Sequence, residues 1–302
     1  MATSSSTIRQ QAATADIQPA SKSFGRARGR GSLGTIVLHL VLVLGAITMI
    51  LPFLWMVGTS LKDFSQVFII PPTWIPDPVV WENYPDSFNA LPFGRAYWNS
   101  FYIAAIVVAS QLLTCSMAGY AFARINFPFR ESVFIVFLAT LMIPQQVTII
   151  PTYLIMRDLG WLDTHLAVIV PHALFSAFGV FLLRQFIKGL PDELEESAIL
   201  DGASRWRIYW QIILPLIKAP LAALGIFSFL AQWNSFFTPN IFLSTPDLFT
   251  IPLLINRFRG LYVSDWTLMM AAASIAVIPV LIVYLLGQRY IIEGVALTGL
   301  KR

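Results

Sequence analysis

Charge is scarce in this 302-residue chain: Asp, Glu, Lys and Arg make up 12%, against 57% hydrophobic residues and a mean hydropathy of +0.70. A soluble domain carries about a quarter charged residues, so the composition excludes that class and indicates a membrane protein. Cysteine is almost absent too. Cys115 stands alone, so no intramolecular disulfide and no cysteine cluster can form, and the redox compartment stays open. There is no metal-ligand spacing, no nucleophile with a base and no phosphate-cradling glycine loop, which leaves an enzyme reading without machinery.

What is present is a set of apolar runs of the length that crosses a hydrocarbon core, at roughly 36–58, 100–122, 132–151, 165–186, 217–237 and 267–288. Backbone groups in lipid must bond within their own segment. The expected fold class is therefore all-α, a polytopic membrane protein with six transmembrane helices. None of the runs contains Asp or Glu, and His172 is the ionisable residue set well inside one. Ion-coupled pumps keep such groups at membrane depth. A chain without them that moves a solute uphill draws its energy from another polypeptide.

The first 35 residues, rich in Ser, Gln, Ala, Gly and Arg, read as a disordered basic cytoplasmic arm, with no basic domain to support nucleic-acid binding. The run from Ile36 to Gly58 is too long for a signal-peptide core and reads as a retained first helix. With the amino terminus inside, the inner segments hold Arg9, Lys22, Arg26, Arg28, Arg30, Arg124, Arg130, Arg184, Lys188, Arg205, Arg207, Lys218, Arg289, Lys301 and Arg302. The outer segments hold only Lys62, Arg95, Arg157, Arg257 and Arg259. Because basic residues are retained on the cytoplasmic side, both termini are expected there, in a multi-pass protein.

The spans carry amides and hydroxyls instead of charge. Gln111 and Thr114 fall in the second, Gln145, Gln146 and Thr148 in the third, His172 and Ser176 in the fourth, and Gln232 with Trp233 and Asn234 at the outer end of the fifth. Such groups either bond neighbouring helices or line a wet path. Gln111, Gln145, Gln146, His172, Gln232, Trp233 and Asn234 are the candidate path-lining set, with Trp233 suited to stack on a sugar ring. Pro52, Pro144, Pro171 and Pro279 should bend their helices.

Between the fourth and fifth runs lies a short polar helix pair, at about 189–215. Pro191 followed by acids favours a helix start, Gly202 is placed to end that helix in the left-handed conformation, and Ser204 can cap a second helix from Arg205 to Leu214 that stops at Pro215. Small residues Ser197, Ala198, Gly202 and Ala203 allow close approach, while Glu196 and Asp201 offer charge. A docking knob and a solvated connecting loop are both open on these grounds. A DNA-reading helix pair is disfavoured by the acids and by the flanking spans.

The spacing Glu196-x-Ala198-x3-Gly202-x9-Ile212-x-Leu214-Pro215 resembles the EAA loop of the permease subunits of bacterial ABC importers. Ser197 stands where that family usually has alanine. Over residues 36–302 the chain is also similar to the maltose-type second permease, at Thr59-Ser60-Leu61-Lys62, Asn99-Ser100, Tyr120-Ala121-Phe122-Ala123-Arg124, Met142-Ile143-Pro144, Gln232-Trp233-Asn234 and Gln288-Arg289-Tyr290. The tail departs from the family's Gly-x-x-Lys-Gly ending, with Gly299 and Lys301 offset by one.

The resemblance implies a six-helix transmembrane permease domain of the type I importer fold in the bacterial cytoplasmic membrane. Its coupling residues would be Glu196, Ser197, Ala198, Asp201, Gly202, Ala203, Ser204 and Pro215. It further implies a second permease as heterodimer partner, two ATP-binding subunits that hold the ATP and Mg, an extracytoplasmic solute-binding protein, and a sugar or oligosaccharide as cargo. The outer segments 59–99 and 238–265, rich in Pro, Trp and Tyr, are candidates for contact with the binding protein, with a plain lid over the bundle equally open for the first. This chain itself would bind no cofactor or metal and catalyse nothing. The rivals are a permease for glycerol-phosphate esters or another polar solute, and a polytopic membrane enzyme.

Overall fold

The computed structural model describes residues 33–174, 176–259 and 265–290 and, as backbone, 291–299. The amino-terminal arm up to residue 32, the segment 260–264 and the tail residues Leu300, Lys301 and Arg302 lie outside the described residues. The chain divides into two compact units, one ending at Leu51 and one running from Pro52. Helix α1, Leu33–Ser60, begins in the first unit and is apolar on every face, with His39 satisfied by the carbonyl of Thr35 one turn back.

In the second unit α2 spans Asn83–Ala90 and α3 Phe93–Arg124. The third run is not one straight helix. It divides into α4, Arg130–Ala139, continued by one tighter turn to Met142, and α5, Gln145–Asp158, which meet at 99°. Pro144 forces the extended backbone of Ile143 and caps α5, so the chain turns where a helix would otherwise continue. The fourth run is α6, His165–Ala173, and α7, Ala177–Lys188, with the hydroxyl of Ser176 accepting from the Gly179 amide to restart the helix. The loop helices are α8, Glu193–Leu200, and α9, Arg205–Leu216. The fifth run is α10, Lys218–Trp233, at 77° to α9 and ending four residues before the hydropathy limit, because Asn234 leaves helical geometry. Short helices α11, Phe237–Phe242, and α12, Ile251–Asn256, precede α13, Trp266–Gly299.

Among the described residues four helical segments are long and apolar enough to span a bilayer, and up to six if each bent pair is counted as one span. The core is built around α3. Its Arg124 end packs Cys115 and Tyr120 with Leu183, Ile187, Ile208, Tyr209 and Leu224, and its Phe93 end packs Ile103 and Val107 with Val168, Phe249 and Leu254. At Gly179 an added Cβ would sit 2.9 Å from the Cys115 sulfur and 3.0 Å from Leu224 Cδ1, so only glycine lets α7 lie this close to α3 and α10.

Candidate functional site: a projecting loop helix and a polar path

Three acids in the first turn, Glu193, Glu195 and Glu196, favour α8 by opposing its N-terminal dipole. Gly202 adopts φ +78, where a side chain is strained, and this turn reverses the chain into α9. The Ser204 hydroxyl accepts from the Arg207 amide at 3.3 Å and caps α9. The expected stop at Pro215 does not occur. Leu214 bonds the Tyr209 carbonyl five residues back, and this wide π turn through Tyr209–Ile213 moves the backbone that the proline ring would strike. The helix ends at Leu216 instead, and Ile217 forms the joint to α10.

The loop helix has two distinct faces. Glu195 and Ala198 are buried, whereas Glu196, Ser197, Asp201, Gly202 and Ser204 are exposed and Ala203 is half-buried. Sequence reasoning missed the apolar part of the outer face: Leu200 is 88% exposed beside Gly202, with Ile199 and Leu194 flanking it. Their spacing carries no amphipathic signal, because leucines and acids share the exposed face while the buried face holds an acid, Glu195, beside Ala198.

The inner face is held by charge. Arg124, at the end of α3, sends Nη2 to the carbonyls of Ile187 (3.0 Å) and Leu190 (2.6 Å), pairs through Nε with Glu195 at 3.0 Å and through Nη1 with Asp192. Glu195 also receives Arg205 at 3.4 Å and the Tyr120 hydroxyl at 3.4 Å. The Glu195 carboxylate is 7% exposed and the Arg124 side chain 11%, so the pair is desolvated; Nε and Oε1 meet as a charge contact without a hydrogen bond, while the other atoms of both groups are bonded. A second pair, Arg184 Nη2 to both oxygens of Glu131 at 2.6 and 2.7 Å, ties α7 to α4, with the guanidinium 3.9 Å from the Phe134 ring centre.

The amides of the spans converge elsewhere. Gln111 donates to the His172 carbonyl (2.7 Å) and accepts from Ser228 (2.6 Å). Gln145 donates to Thr238 (2.9 Å), and His172 lies 3.4 Å from the same hydroxyl. Two cavities share Thr140 and His172: one of about 440 Å³ reached by Gln111, Ser176, Ser228 and Gln232, and one of about 530 Å³ reached by Gln145, Thr148, Thr152 and Thr238. The lining of both carries hydroxyls, amides and aromatic rings, with no Lys, Arg, Asp or Glu. The side-chain amide oxygen of Gln232, Oε1, is buried there without a hydrogen-bond partner.

Gln146 is exposed and outside both cavities. Of the expected cluster of Gln232, Trp233 and Asn234, Gln232 reaches one of these cavities while Trp233 and Asn234 border another, since successive helical residues point about 100° apart. Trp233 is 2% exposed, donates from Nε1 to the Ala276 carbonyl (3.0 Å) and stacks on Phe229, which leaves its ring committed to packing. Asn234 bonds the Leu230 carbonyl and, with the edge of Trp233, lines a separate cavity of about 640 Å³ that also holds Phe236, Ile251, Asn256 and Arg259.

At the Phe93 end of α3, Asn99 donates to the carbonyls of Asp247 (2.9 Å) and Phe249 (3.0 Å), and the Ser100 hydroxyl accepts from the Ile251 amide (2.8 Å). Asp163, held at φ 55, accepts from the amides of Ser244 and Thr245 and from the Thr245 hydroxyl. These bonds, the Thr245 hydroxyl first, hold its carboxyl below the ordinary value of 3.8. Lys62 is 1% exposed, donates to the Thr73 carbonyl (2.5 Å) and lies over Trp55.

Comparison with known proteins places this architecture. Residues 112–296 match the family described as "Binding-protein-dependent transport system inner membrane component". The lactose transport system permease protein LacG of Rhizobium radiobacter is 33% identical over 265 residues, covering 88% of this chain and 96% of that one. The sn-glycerol-3-phosphate transport system permease protein UgpE of Yersinia enterocolitica is 34% identical over 271 residues, covering 86% and 95%. In structure the chain is similar to a bacterial ABC transporter involved in the import of the acidic polysaccharide alginate, with a TM-score of 0.77 at 23% identity, covering 87% of this chain and 98% of that one. The loop helix, the bent spans and these matches agree: the chain belongs to the inner membrane component family of binding-protein-dependent transport systems, with the ABC importer permease fold.

Proposed function

We propose that this chain is one half of the translocation pathway of an ATP-driven sugar importer, and that α8 is the element its ATPase grips. The observation that carries the reading is the two-faced loop helix: Leu200, Glu196 and Gly202 project outward, while Glu195 is clamped to α3 from within. An exposed apolar tip on a rigid mount suits a partner's cleft. The other half is a second, different permease, and two ATP-binding subunits hold the ATP and Mg. An extracytoplasmic binding protein delivers solute to the segments around 59–99 and 238–265. ATP draws the ATPases together, both loop helices follow, and the bent spans reopen toward the binding protein.

The cargo we infer is a neutral sugar or oligosaccharide. The shared cavities offer hydroxyls, amides and aromatic surface, which bind polyols by hydrogen bonds and stacking, and a described lining free of Arg and Lys lacks the charge-assisted partners that a phosphate ester requires. LacG, a lactose permease, points the same way. UgpE supports the glycerol-phosphate alternative. Uptake by proteoliposomes holding the whole complex separates the two: accumulation of a labelled neutral oligosaccharide, unaffected by excess glycerol phosphate, is the expected result, and uptake of the phosphate ester alone would refute it.

We further place α8 and both termini in the cytoplasm, with residues 1–35 as a basic arm and 36–302 as the permease domain. Cysteine at the exposed Asp158 should react with impermeant maleimide in intact cells, and cysteine at Ser204 should not. Labelling at 204 from outside would reverse the orientation.

A further inference from the structure

We propose that α3 is the shaft that carries movement of α8 to the far end of the bundle, with Arg124 and Asn99 as positioning residues at its two joints. The inference rests on the reading of α8 as the ATPase-docking element. The third span is bent by 99°, the fifth meets the loop helix α9 at a 77° joint, and α1, α6 and α13 contain Pro52, Pro171 and Pro279. By contrast α3 has 32 residues without proline or break, about 48 Å at 1.5 Å per residue. A bent span absorbs displacement at its joint. An unbroken one packed along one face moves as a rod, because its backbone bonds are continuous and that packed face cannot shear gradually.

Each end of the rod is bonded to a different functional segment. At one end a single guanidinium joins four pieces of chain: the last turn of α3, the Ile187 and Leu190 carbonyls, Asp192 and Glu195. A push on the outer face of α8 therefore reaches α3 through the near-buried Glu195 and the two backbone carbonyls, with the exposed Asp192 side chain as an outer partner. At the other end Asn99 and Ser100, 5% and 3% exposed, hold the Asp247 and Phe249 carbonyls and the Ile251 amide, and Arg95 pairs with Asp247 at 2.5 Å. That segment leads into α12, whose Ile251, Pro252, Ile255 and Asn256 form one wall of the 640 Å³ cavity. Displacement of α3 would be delivered to that wall.

The test uses the assembled transporter in proteoliposomes and compares solute moved per ATP hydrolysed. Arg124→Lys keeps a charge for Glu195 and loses the fork. Asn99→Leu, at the opposite end of α3, keeps volume and loses both donors. Each variant should retain its ATPase subunits at wild-type yield and at least half of the stimulated hydrolysis, while solute moved per ATP falls at least tenfold. In parallel, cysteine at Asn256 should label with maleimide at a rate that changes on trapping with ATP and vanadate, and either variant should abolish that change. An unaltered transport ratio with nucleotide-dependent labelling in an assembled variant would overturn the shaft. If Arg124→Lys does not assemble, Asn99→Leu decides alone, and failure of both to assemble would overturn it by showing residues needed only for folding. Retention of the ATPase by Gly202→Asp defeats the docking reading instead, so the two failures are distinct.

Discussion

At the scale of single residues, the informative ones are those whose surroundings contradict their chemistry. Leu200 is a leucine in water, 88% exposed at the tip of α8. Replacing it should leave the permease as stable as before, since nothing in the fold rests on it. Burying such a side chain at an interface contributes about 1.5–3 kcal/mol, so Leu200→Ser should weaken ATPase binding by about ten- to a hundredfold, read by titrating labelled ATPase onto the purified permease. Unchanged affinity would remove Leu200 from the docking face. Asp163 is the converse case, a carboxylate stabilised by three donors from 244–245. Its carboxyl is held below 3.8 in the folded protein, so its contribution is complete above the ordinary carboxylate value and is lost as pH falls through the depressed one. Hydrogen exchange should show the Ser244 and Thr245 amides protected at neutral pH and still protected near pH 5. Loss of protection between pH 7 and 5 would contradict the assignment.

At the scale of elements, the packing of α7 depends on the missing side chain of Gly179. An alanine there meets the Cys115 sulfur at 2.9 Å and two Leu224 methyl carbons at 3.0 and 3.1 Å, so α3, α7 and α10 must all give way. Overpacking of this kind costs about 1–3 kcal/mol, and Gly179→Ala should lower the thermal unfolding midpoint in detergent. An unshifted midpoint would show that the three helices are less tightly joined than their spacing indicates. The elements also show what a sequence carries. Apolar length alone located the spans, because lipid imposes one requirement on every residue of a run. Pro144 marked the bend in the third run but not its 99° angle, since a proline permits several angles and neighbouring helices choose among them. Gly202 and Ser204 were legible because turn and cap chemistry is local. Pro215 misled for a complementary reason: the π turn that accommodates it is fixed by the packing of Tyr209 and Ile213, which no local rule records.

At the scale of the whole molecule, long-range polar pairs were the least legible part. Arg124 and Glu195 lie 71 positions apart and Arg184 and Glu131 lie 53 apart, and counting basic residues for topology treats all of these arginines as solvated. Folding makes them struts of the loop end. Trp233 shows what adjacency in sequence leaves open: its indole bonds Ala276 and it borders the same cavity as Asn234, while Gln232 turns to another. The resulting account is a bundle with a rigid proline-free axis, bent spans around an uncharged path, and a loop helix mounted on charge. Its central claim is that α8 engages the ATPase through a turn that only glycine makes at low cost. Gly202→Asp tests it most directly, because no neighbouring atom lies within 4 Å of the added Cβ and φ +78 strains only the turn itself, so the membrane bundle should remain folded. The measurement is co-purification of the ATPase with solute-stimulated hydrolysis in the reconstituted complex. The account predicts a folded permease that loses the ATPase or its stimulation, whereas wild-type yield with normal stimulated hydrolysis would contradict it.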